Sequence, residues 1–596
     1  MQSLFDIIDA VPEESGWRPT VPPSLAGVSE LALDTETTGL DWRRGDRPIG
    51  LSGCLPDGST FYLPWGHVGG NLSEDAVREW ARNELRGKRL NFLNAPFDVH
   101  QFRVWGVDLE AMGCSVHDVG HSAALLDDLR IKFNLEDLGQ AYLGTGKLEG
   151  LDKTRMRAYH ASKVDGYARQ DARLVRDLAL KMQPLLVAEE LERVSKLEDD
   201  LIFPVCEMEK NLIHLDMELL AQFERESRVE YEGLVMDFYR ETGLRFNPSA
   251  SAHWEQLFKK CGIPPPRDAG TDPKKKKKAG ITFADEQVQG FQHPWVQKAR
   301  YLRKLKNLRV KFFVAYQNAV LPDGRLPFHL HQLRSDEGGT VSGRFSATNE
   351  NIQQVAAVKK QIKKMGHDRY LVRALYVPPK GEWLAAEDAK QIEYRLFAHY
   401  SGAPKVLAAY AADPETDFHD FVMSMVQRVR PDITRERTKD TNFAKIYGAG
   451  RGKIALMLNL PRTESDRFVT AYDKEFPEAE TTLKKAAKIA AERGYVRTYI
   501  GRRMRFKDKK RLHKALNGVI QGTAADVMKQ KIVELHRERK YTNYTMRLTV
   551  HDESVGSIPD PECLKRVSEV LGVQSFPFKV PILWDAKVGR NWKECK

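Results

Sequence analysis

The chain is poor in cysteine, with six in 596 residues, and no two of them form a CxxC pair or recur at a regular spacing. That pattern argues against a zinc ribbon and a disulfide framework and points to reduced thiols in a cytosol-like compartment. Long hydrophobic runs are missing as well: no stretch approaches the length that spans a bilayer, and the start, MQSLFDIIDAVPEESGWRP, lacks a basic segment followed by a long apolar one. A soluble, cytoplasmic protein is expected, neither secreted nor membrane-bound. Repeats of solenoid period are absent too. Charge, by contrast, is plentiful. The 93 Lys and Arg against 82 Asp and Glu leave a net charge of +11, which favours a polyanionic partner. The length exceeds what one core can serve, so several domains are expected.

A proline-rich lead over residues 1–23 gives way to the apolar run ELALDTETTGL, after which strand-like and helix-like segments alternate to about residue 190. This is the pattern of an α/β domain over 24–190. From LVAEELERVSKLEDDLIFPVCEMEKNL onward the periodicity is helical and strongly charged, opening a second module over 191–596. Inside it, PPPRDAGTDPKKKKKAG breaks the periodicity. Its lysines, Lys274 to Lys278, read either as a solvated loop or as a phosphate contact.

In LALDTET, Asp34 and Glu36 stand two apart on a strand, so both project from one face beside an apolar run and need a cation. NFLNAPFDVH adds Asn94 and Asp98, and DGYARQDARL adds Tyr167 and Asp171, four apart on a helix face. Any one acid alone is an ordinary surface group. Four carboxylates from a strand, a middle segment and a helix of one α/β domain suit two adjacent divalent cations and in-line phosphoryl chemistry.

In RPDITRERTKDTNFAKIYGAG, helix start signals at Asp432 and Thr434 and a stop at Gly448 enclose Arg435, Lys439, Phe443 and Tyr447 at four-residue spacing. A core stripe would not carry two cations, and a salt-bridged stripe would carry acids. Cations at one end suit triphosphate, and aromatics at the other suit a base or sugar. RLTVHDESVGSI sets Asp552 beside Glu553 in an apolar extended run, where alternation would bury one of them unless a turn or a ligand intervenes. A partner occurs in GEWLAAEDAKQIEYRLFAHYSG, where Asp388 closes a strand-like run ahead of a helix carrying Glu393 and Arg395. If Asp388 and Asp552 meet on adjacent strands, their repulsion calls for bound Mg²⁺.

With those residues in hand, residues 31 to 175 resemble the proofreading 3′ to 5′ exonucleases of the DEDD type, through LDTET, NAPFD and YARQD, and Tyr167 marks the tyrosine subtype. The resemblance implies an RNase H-like domain in which Asp34, Glu36, Asp98 and Asp171 hold two Mg²⁺ or Mn²⁺ ions while Tyr167 orients the attacking water. Most of residues 200 to 596 resembles the family A DNA polymerases, through DAKQIEYR, RERTKDTNFAKIYG and VHDES in order, with TVSGRFSATNENIQ, RGYVRTYIGRRMRF, NGVIQGTAADVMK and VGRNW around them. That resemblance implies a right-hand fold with a thumb at about 200–330, a palm at about 331–400 and 510–596, and fingers at about 401–509. By it, Asp388 and Asp552 hold the catalytic metals with Glu553 a lesser third acid. Arg435 and Lys439 contact the triphosphate, and Lys439 is the proton donor to the leaving group. Phe443, Tyr447 and Gln391 belong to the nucleotide site, and Glu393 fills the space of a ribose 2′ hydroxyl. Arg344, Gln521 and His551 match positions that touch the primer terminus or the minor groove.

The implied partners are primer-template DNA and deoxynucleoside triphosphates, with helicase, primase or single-strand-binding proteins as further possibilities, and the protein is expected to be a monomer. An exonuclease starting near the first residue leaves no room for a 5′ nuclease domain, which suggests a phage-type replicative enzyme. Departures from the family pattern are Ala389, Lys390 and Ala444, of which Lys390 alters local charge. Three other readings compete: a single-subunit RNA polymerase, an accessory DNA-binding subunit, and a nuclease whose polymerase half is inert.

Overall fold

The structure, a computed structural model, describes residues 16–267, 280–428, 431–458 and 460–595. Lys274 to Lys278 lie outside the described residues. The first apolar run becomes the middle strand of a five-stranded sheet. Strands β1 (Glu30–Thr37), β2 (Pro48–Cys54), β3 (Thr60–Pro64), β4 (Arg89–Phe92) and β5 (Ser115–Asp118) lie in the order β3-β2-β1-β4-β5. Strand β1 runs antiparallel to β2 and parallel to β4. Helix α1 (Ala95–Val104) follows β4, and the long helix α2 (Ala161–Ala188) packs on β1, β2 and β3. It does so because Val164, Ala168, Ala172, Val175, Leu178 and Met182 recur at three- and four-residue spacing and form its buried stripe.

After a turn at 189–191 come helices α3 (Glu192–Asp200) and α4 (Ile202–Asn211), then α5 (Met217–Thr242) and α6 (Pro294–Leu308), which pack side by side. A short hairpin follows, made by β6 (His329–His331) and β7 (Ser346–Thr348). The second major sheet is wholly antiparallel, in the order β9-β10-β8-β11, from β8 (Trp383–Ala389), β9 (Thr545–Val550), β10 (Glu553–Ile558) and β11 (Trp584–Gly589). Between β8 and β9 the chain makes a helical excursion that includes α7 (Ile392–Ser401), α8 (Phe418–Gln427), α9 (Arg435–Ile446) and α10 (Ala515–Arg537). The mixed α/β class expected from the sequence is the class observed. All six cysteines are free thiols, and no helix among the described residues is long and apolar enough to cross a membrane.

The two halves are joined by charge buried at their seam. Glu198 of α3 is fully buried and accepts hydrogen bonds from Arg502 Nη2 at 2.6 Å, Lys529 Nζ at 2.6 Å and Gln332 Nε2 at 3.1 Å. Arg502 also reaches Asp526 at 2.7 Å through Nε. Burial alone would push Glu198 up, but Lys529 and Arg502 reverse that and bring its carboxyl down to about 2. Around this centre, Arg505 pairs with Asp128 and Glu189, Arg503 pairs with Glu189, and His536 stands between Glu110 and Glu207. The strands Tyr495–Arg497 and Arg503–Arg505, which the sequence assigns to the end of the fingers, therefore lie against the N-terminal half.

Removing one member of a buried ion network leaves its partner's charge uncompensated. Lys529→Met is accordingly expected to lower unfolding stability by about 3–5 kcal/mol, with much of the loss recovered when Glu198→Gln is added. Urea titration of the two variants checks this, and a single-variant loss below about 1 kcal/mol would contradict it.

Candidate active sites

On β1, alternation puts Asp34 and Glu36 on one side of the sheet, and α2 brings Asp171 to meet them. One carboxylate oxygen of each lies within 4.8 Å of the others. Glu36 Oε1 and Asp171 Oδ1 are buried without a hydrogen-bond partner, which is the state of oxygens shaped to hold a cation. Burial, with the Asp171 charge adding to it, pushes the Asp34 carboxyl up to about 7, and burial raises Glu36 and Asp171 as well. All-oxygen donors of this kind fit Mg²⁺ or Mn²⁺.

Asp98, the fourth carboxylate of the sequence reading, lies outside this group of three. It is buried on α1 near Asp34, but Oδ1 accepts hydrogen bonds from Thr35 N at 3.1 Å and Thr35 Oγ1 at 2.7 Å. It therefore stands beside the cluster, turned toward the backbone of β1. The reason lies in the entry of α1, where Asn94 takes a left-handed φ of 62° and sets the first turn of the helix against β1. Tyr167, one turn before Asp171 on α2, is buried against the cluster, and burial raises its phenol.

The sequence reading missed two lysines. Lys147 Nζ bonds Asp171 and lies 4.9 Å from the Tyr167 ring centroid, and Lys153 Nζ lies 5.9 Å from the same ring. They supply the positive charge that the crowded acids require. Their only signal in the sequence is two cations in GKLEGLDKT, a stretch with no periodicity to aim them.

The second acidic site sits at one end of the antiparallel sheet. Asp388 is the sixth residue of β8, and Ala389 N donates to Asp552 O at 3.0 Å, which locks the turn before β10 onto the end of β8. His551 takes a left-handed φ of 59° to make that turn. Asp552 thus lies in the turn, outside the strand alternation, and is partly buried there. Burial still raises its carboxyl, and Glu393 and Glu553 raise it further against the Arg344 charge.

Glu553 is held by buried partners. The register pairs it with Asp388, but both its oxygens accept from Arg373 Nη1, at 3.0 and 2.8 Å, and Oε1 accepts from Trp592 Nε1 at 2.8 Å. The Arg373 guanidinium in turn lies 3.8 Å from the Trp592 ring centroid. Glu553 is thereby held as a buried ion-pair partner that fixes the hairpin, and it does not stand as a third open acid. Glu387, next to Asp388 on the opposite face, is fully buried, bonds Tyr544 Oη at 2.8 Å and is pushed by burial to about 8.

Helix α9 packs against α8. Thr438, Thr441, Asn442, Lys445 and Ile446 form its buried side, with Asn442 accepting from Tyr472 Oη at 2.7 Å and Lys445 pairing with Asp473 at 2.6 Å. The opposite side leaves Arg435, Lys439 and Phe443 exposed, as the four-residue spacing implied. Phe443 and Tyr447 stack with centroids 5.2 Å apart, and Tyr394 meets Phe443 edge-on. Arg435 is paired with Asp417 at 2.5 Å and Asp420 at 2.8 Å, so the acids of the stripe come from the cap and first turn of α8. Just past the helix, Gly448 has a φ of 69°, and a side chain there would meet His513 O at 2.8 Å.

Between α9 and α7 a polar chain links four of the residues picked from the sequence. Arg344 and Tyr447 both bond Glu393, and Gln521 Nε2 donates to Tyr447 Oη at 3.2 Å. Gln391 is engaged at the start of α8. Its Nε2 donates to Asp417 at 2.7 Å and its Oε1 accepts from Phe418 N at 3.1 Å, so its side chain secures the start of α8. Lys390 pairs with Glu415 at 2.8 Å, which offsets the extra charge noted in the sequence.

A family model described as DNA polymerase family A matches residues 217–594. Among curated relatives, the DNA polymerase DpoZ of Salmonella phage PMBT28 is 27% identical over 96% of this chain and 98% of its own length. The DNA polymerase DpoZ of Acinetobacter phage SH-Ab 15497 is 28% identical with the same coverage. The DNA polymerase I of Streptococcus pneumoniae serotype 4 is 26% identical over 83% of this chain but only 56% of its own length. Among solved structures, the POL domain of Pol1 from M. smegmatis, in complex with DNA primer-template and dNTP, aligns with a TM-score of 0.82. It covers 97% of this chain and 100% of that one at 22% identity, a likeness of fold.

Proposed function

The chain belongs to DNA polymerase family A, and from that premise we propose that it extends a primer on a DNA template and trims the primer's 3′ end at a second site. The observation that carries the polymerase reading is the backbone bond from Ala389 to Asp552, which puts Asp388 and Asp552 at the same sheet end, together with the exposed Arg435, Lys439 and Phe443 on α9. The trimming reading rests on Asp34, Glu36 and Asp171 with their two unpartnered buried oxygens. When bound to such carboxylates, divalent cations supply charge neutralisation at the reacting phosphate and activation of the attacking oxygen.

The chain's own residues supply the rest. Lys439 and Arg435 draw the triphosphate to the exposed side of α9, Arg435 by sharing or leaving Asp417 and Asp420. Phe443 offers a flat face to the incoming sugar and base, and Tyr447, held by Glu393 and Gln521, bounds the pocket. Lys439 can pass a proton to the departing pyrophosphate. In the N-terminal half, Tyr167 faces the carboxylates and orients water, while Lys147 and Lys153 keep the acids compact between turnovers. In this reading α5 and α6 belong to the thumb, α8 and α9 to the fingers and β8 to β11 to the palm. The whole-length likeness to two phage polymerases supports a role in phage DNA replication.

Glu393 is fixed from both sides by Arg344 and Tyr447, so it cannot swing away from a 2′ hydroxyl. Glu393→Ala is expected to raise the ribonucleotide to deoxynucleotide ratio of kcat/KM by at least about 100-fold, equivalent to about 2.7 kcal/mol. Single-nucleotide incorporation on a matched template measures it, and an unchanged ratio in a folded, active variant would remove Glu393 from sugar selection. The function as a whole is tested with a 5′-labelled primer on a longer template in Mg²⁺. Growth with deoxynucleotides and shortening without them is the expected pair of results; shortening in both lanes would favour a nuclease with an inert polymerase half.

A further inference from the structure

Outside these two sites, the described residues contain one other group of three side chains whose ligand atoms lie within 4.8 Å of one another: His329, His331 and Glu337. The two histidines stand two apart on β6, so alternation puts both rings on one face, with centroids 4.7 Å apart. Glu337 reaches them from the tight turn closed by Ser335 N donating to Gly338 O at 2.8 Å.

What lies behind the rings separates this group from a chance cluster. His329 Nδ1 is 2.8 Å from the carboxylate of Glu209, which is fully buried on α4 and also contacts His100 Nε2 at 3.0 Å and accepts from Leu330 N at 2.7 Å. That contact fixes the His329 ring and aims Nε2 outward, where Glu337 lies 4.0 Å away. A carboxylate bonded to the far nitrogen of a histidine is the support that orients and strengthens a metal-ligating imidazole. His331 is held in the same way by Thr348 Oγ1, 2.8 Å from Nε2, while Nδ1 has the longer contact of 3.3 Å with Ser335 Oγ.

We propose that His329 Nε2, His331 Nδ1 and Glu337 bind Zn²⁺ or a similar transition-metal ion, with water in the fourth position. Two imidazoles and one carboxylate are a donor set that such ions favour over Mg²⁺, in contrast to the all-oxygen active sites. Ligand atoms about a tetrahedral zinc stand about 3.3 Å apart, so the group must close by about 1.5 Å at most. Glu337, 65% exposed, can provide that by rotation. The bound ion would tie the 335–338 turn to β6, in the connection that goes on to deliver Arg344 to Glu393.

The competing arrangement is a protonated His329 shared by Glu209 and Glu337 with no metal. To decide, the full chain is stripped with a chelator, supplied with excess Mg²⁺ to fill the carboxylate sites, and titrated with Zn²⁺ against a chromophoric chelator and with Co²⁺ by visible absorption. One ion per chain is expected at a Kd of about micromolar or tighter, with Co²⁺ giving a four-coordinate spectrum. Glu337→Gln, at an exposed position that endangers no buried contact, should raise the Kd at least about tenfold, and His331→Gln should abolish binding. No uptake beyond the Mg²⁺-blocked sites, or the same stoichiometry and affinity in both variants, would overturn the proposal.

Discussion

Asp552→Ala is expected to reduce primer extension by at least about 1,000-fold, equivalent to about 4 kcal/mol of transition-state stabilisation, while digestion of the same primer without nucleotides continues at the wild-type rate. The fold should survive, because the bond that locks the turn onto β8 runs from Ala389 N to the backbone oxygen of residue 552. Only the carboxylate is lost. Its neighbour cannot replace it, since Glu553 is fastened to Arg373 and Trp592 and would have to abandon a buried guanidinium to move. Steady-state extension and primer digestion on one preparation, with circular dichroism to verify folding, make the comparison. Extension within tenfold of wild type would remove Asp552 from the chemistry, and loss of both activities in a folded protein would deny that the two sites are separate.

What the sequence made legible was whatever a single element could carry. Two-residue spacing placed Asp34 with Glu36 on β1, and four-residue spacing placed Tyr167 over Asp171 and aligned Arg435, Lys439 and Phe443 on one side of α9. The mixed α/β class followed from the same periodicities. Spacing gave no access to partners supplied from elsewhere in the chain. Lys147 meets Asp171 from an irregular stretch 24 residues earlier, and Arg373 meets Glu553 across 180 residues, so neither contact has a local signature. Contacts at three of the predicted site residues share that origin: Thr35 bonds Asp98 Oδ1, Asp417 accepts from Gln391, and Arg373 holds Glu553, all partners that spacing does not reveal. The seam between the halves was illegible for the same reason, since Glu198 reads as one acid among many on a charged helix until Arg502 and Lys529 arrive from more than 300 residues away.

Asp171→Ala is expected to have the opposite effect on activity: digestion of the primer 3′ end falls at least about 1,000-fold and extension is retained. Asp171 supplies one of the three clustered carboxylate oxygens and one of the two that are buried without partners, so its loss removes donors that Asp34 and Glu36 cannot replace. The consequence for stability separates this site from a purely structural ion pair. If Asp171 were present to hold Lys147 in place, alanine would strand a buried ammonium and lower the melting temperature in a chelator. If the acids are crowded for the sake of divalent ions, removing one relieves repulsion among the rest, and Lys147 keeps Asp34 as a counter-charge. The expected result is a melting temperature in chelator equal to or above wild type, together with a smaller rise when Mg²⁺ is added, because fewer donors remain to link binding to folding. A large drop in chelator with digestion intact would make Asp171 a structural partner of Lys147 and would remove the trimming activity from this cluster.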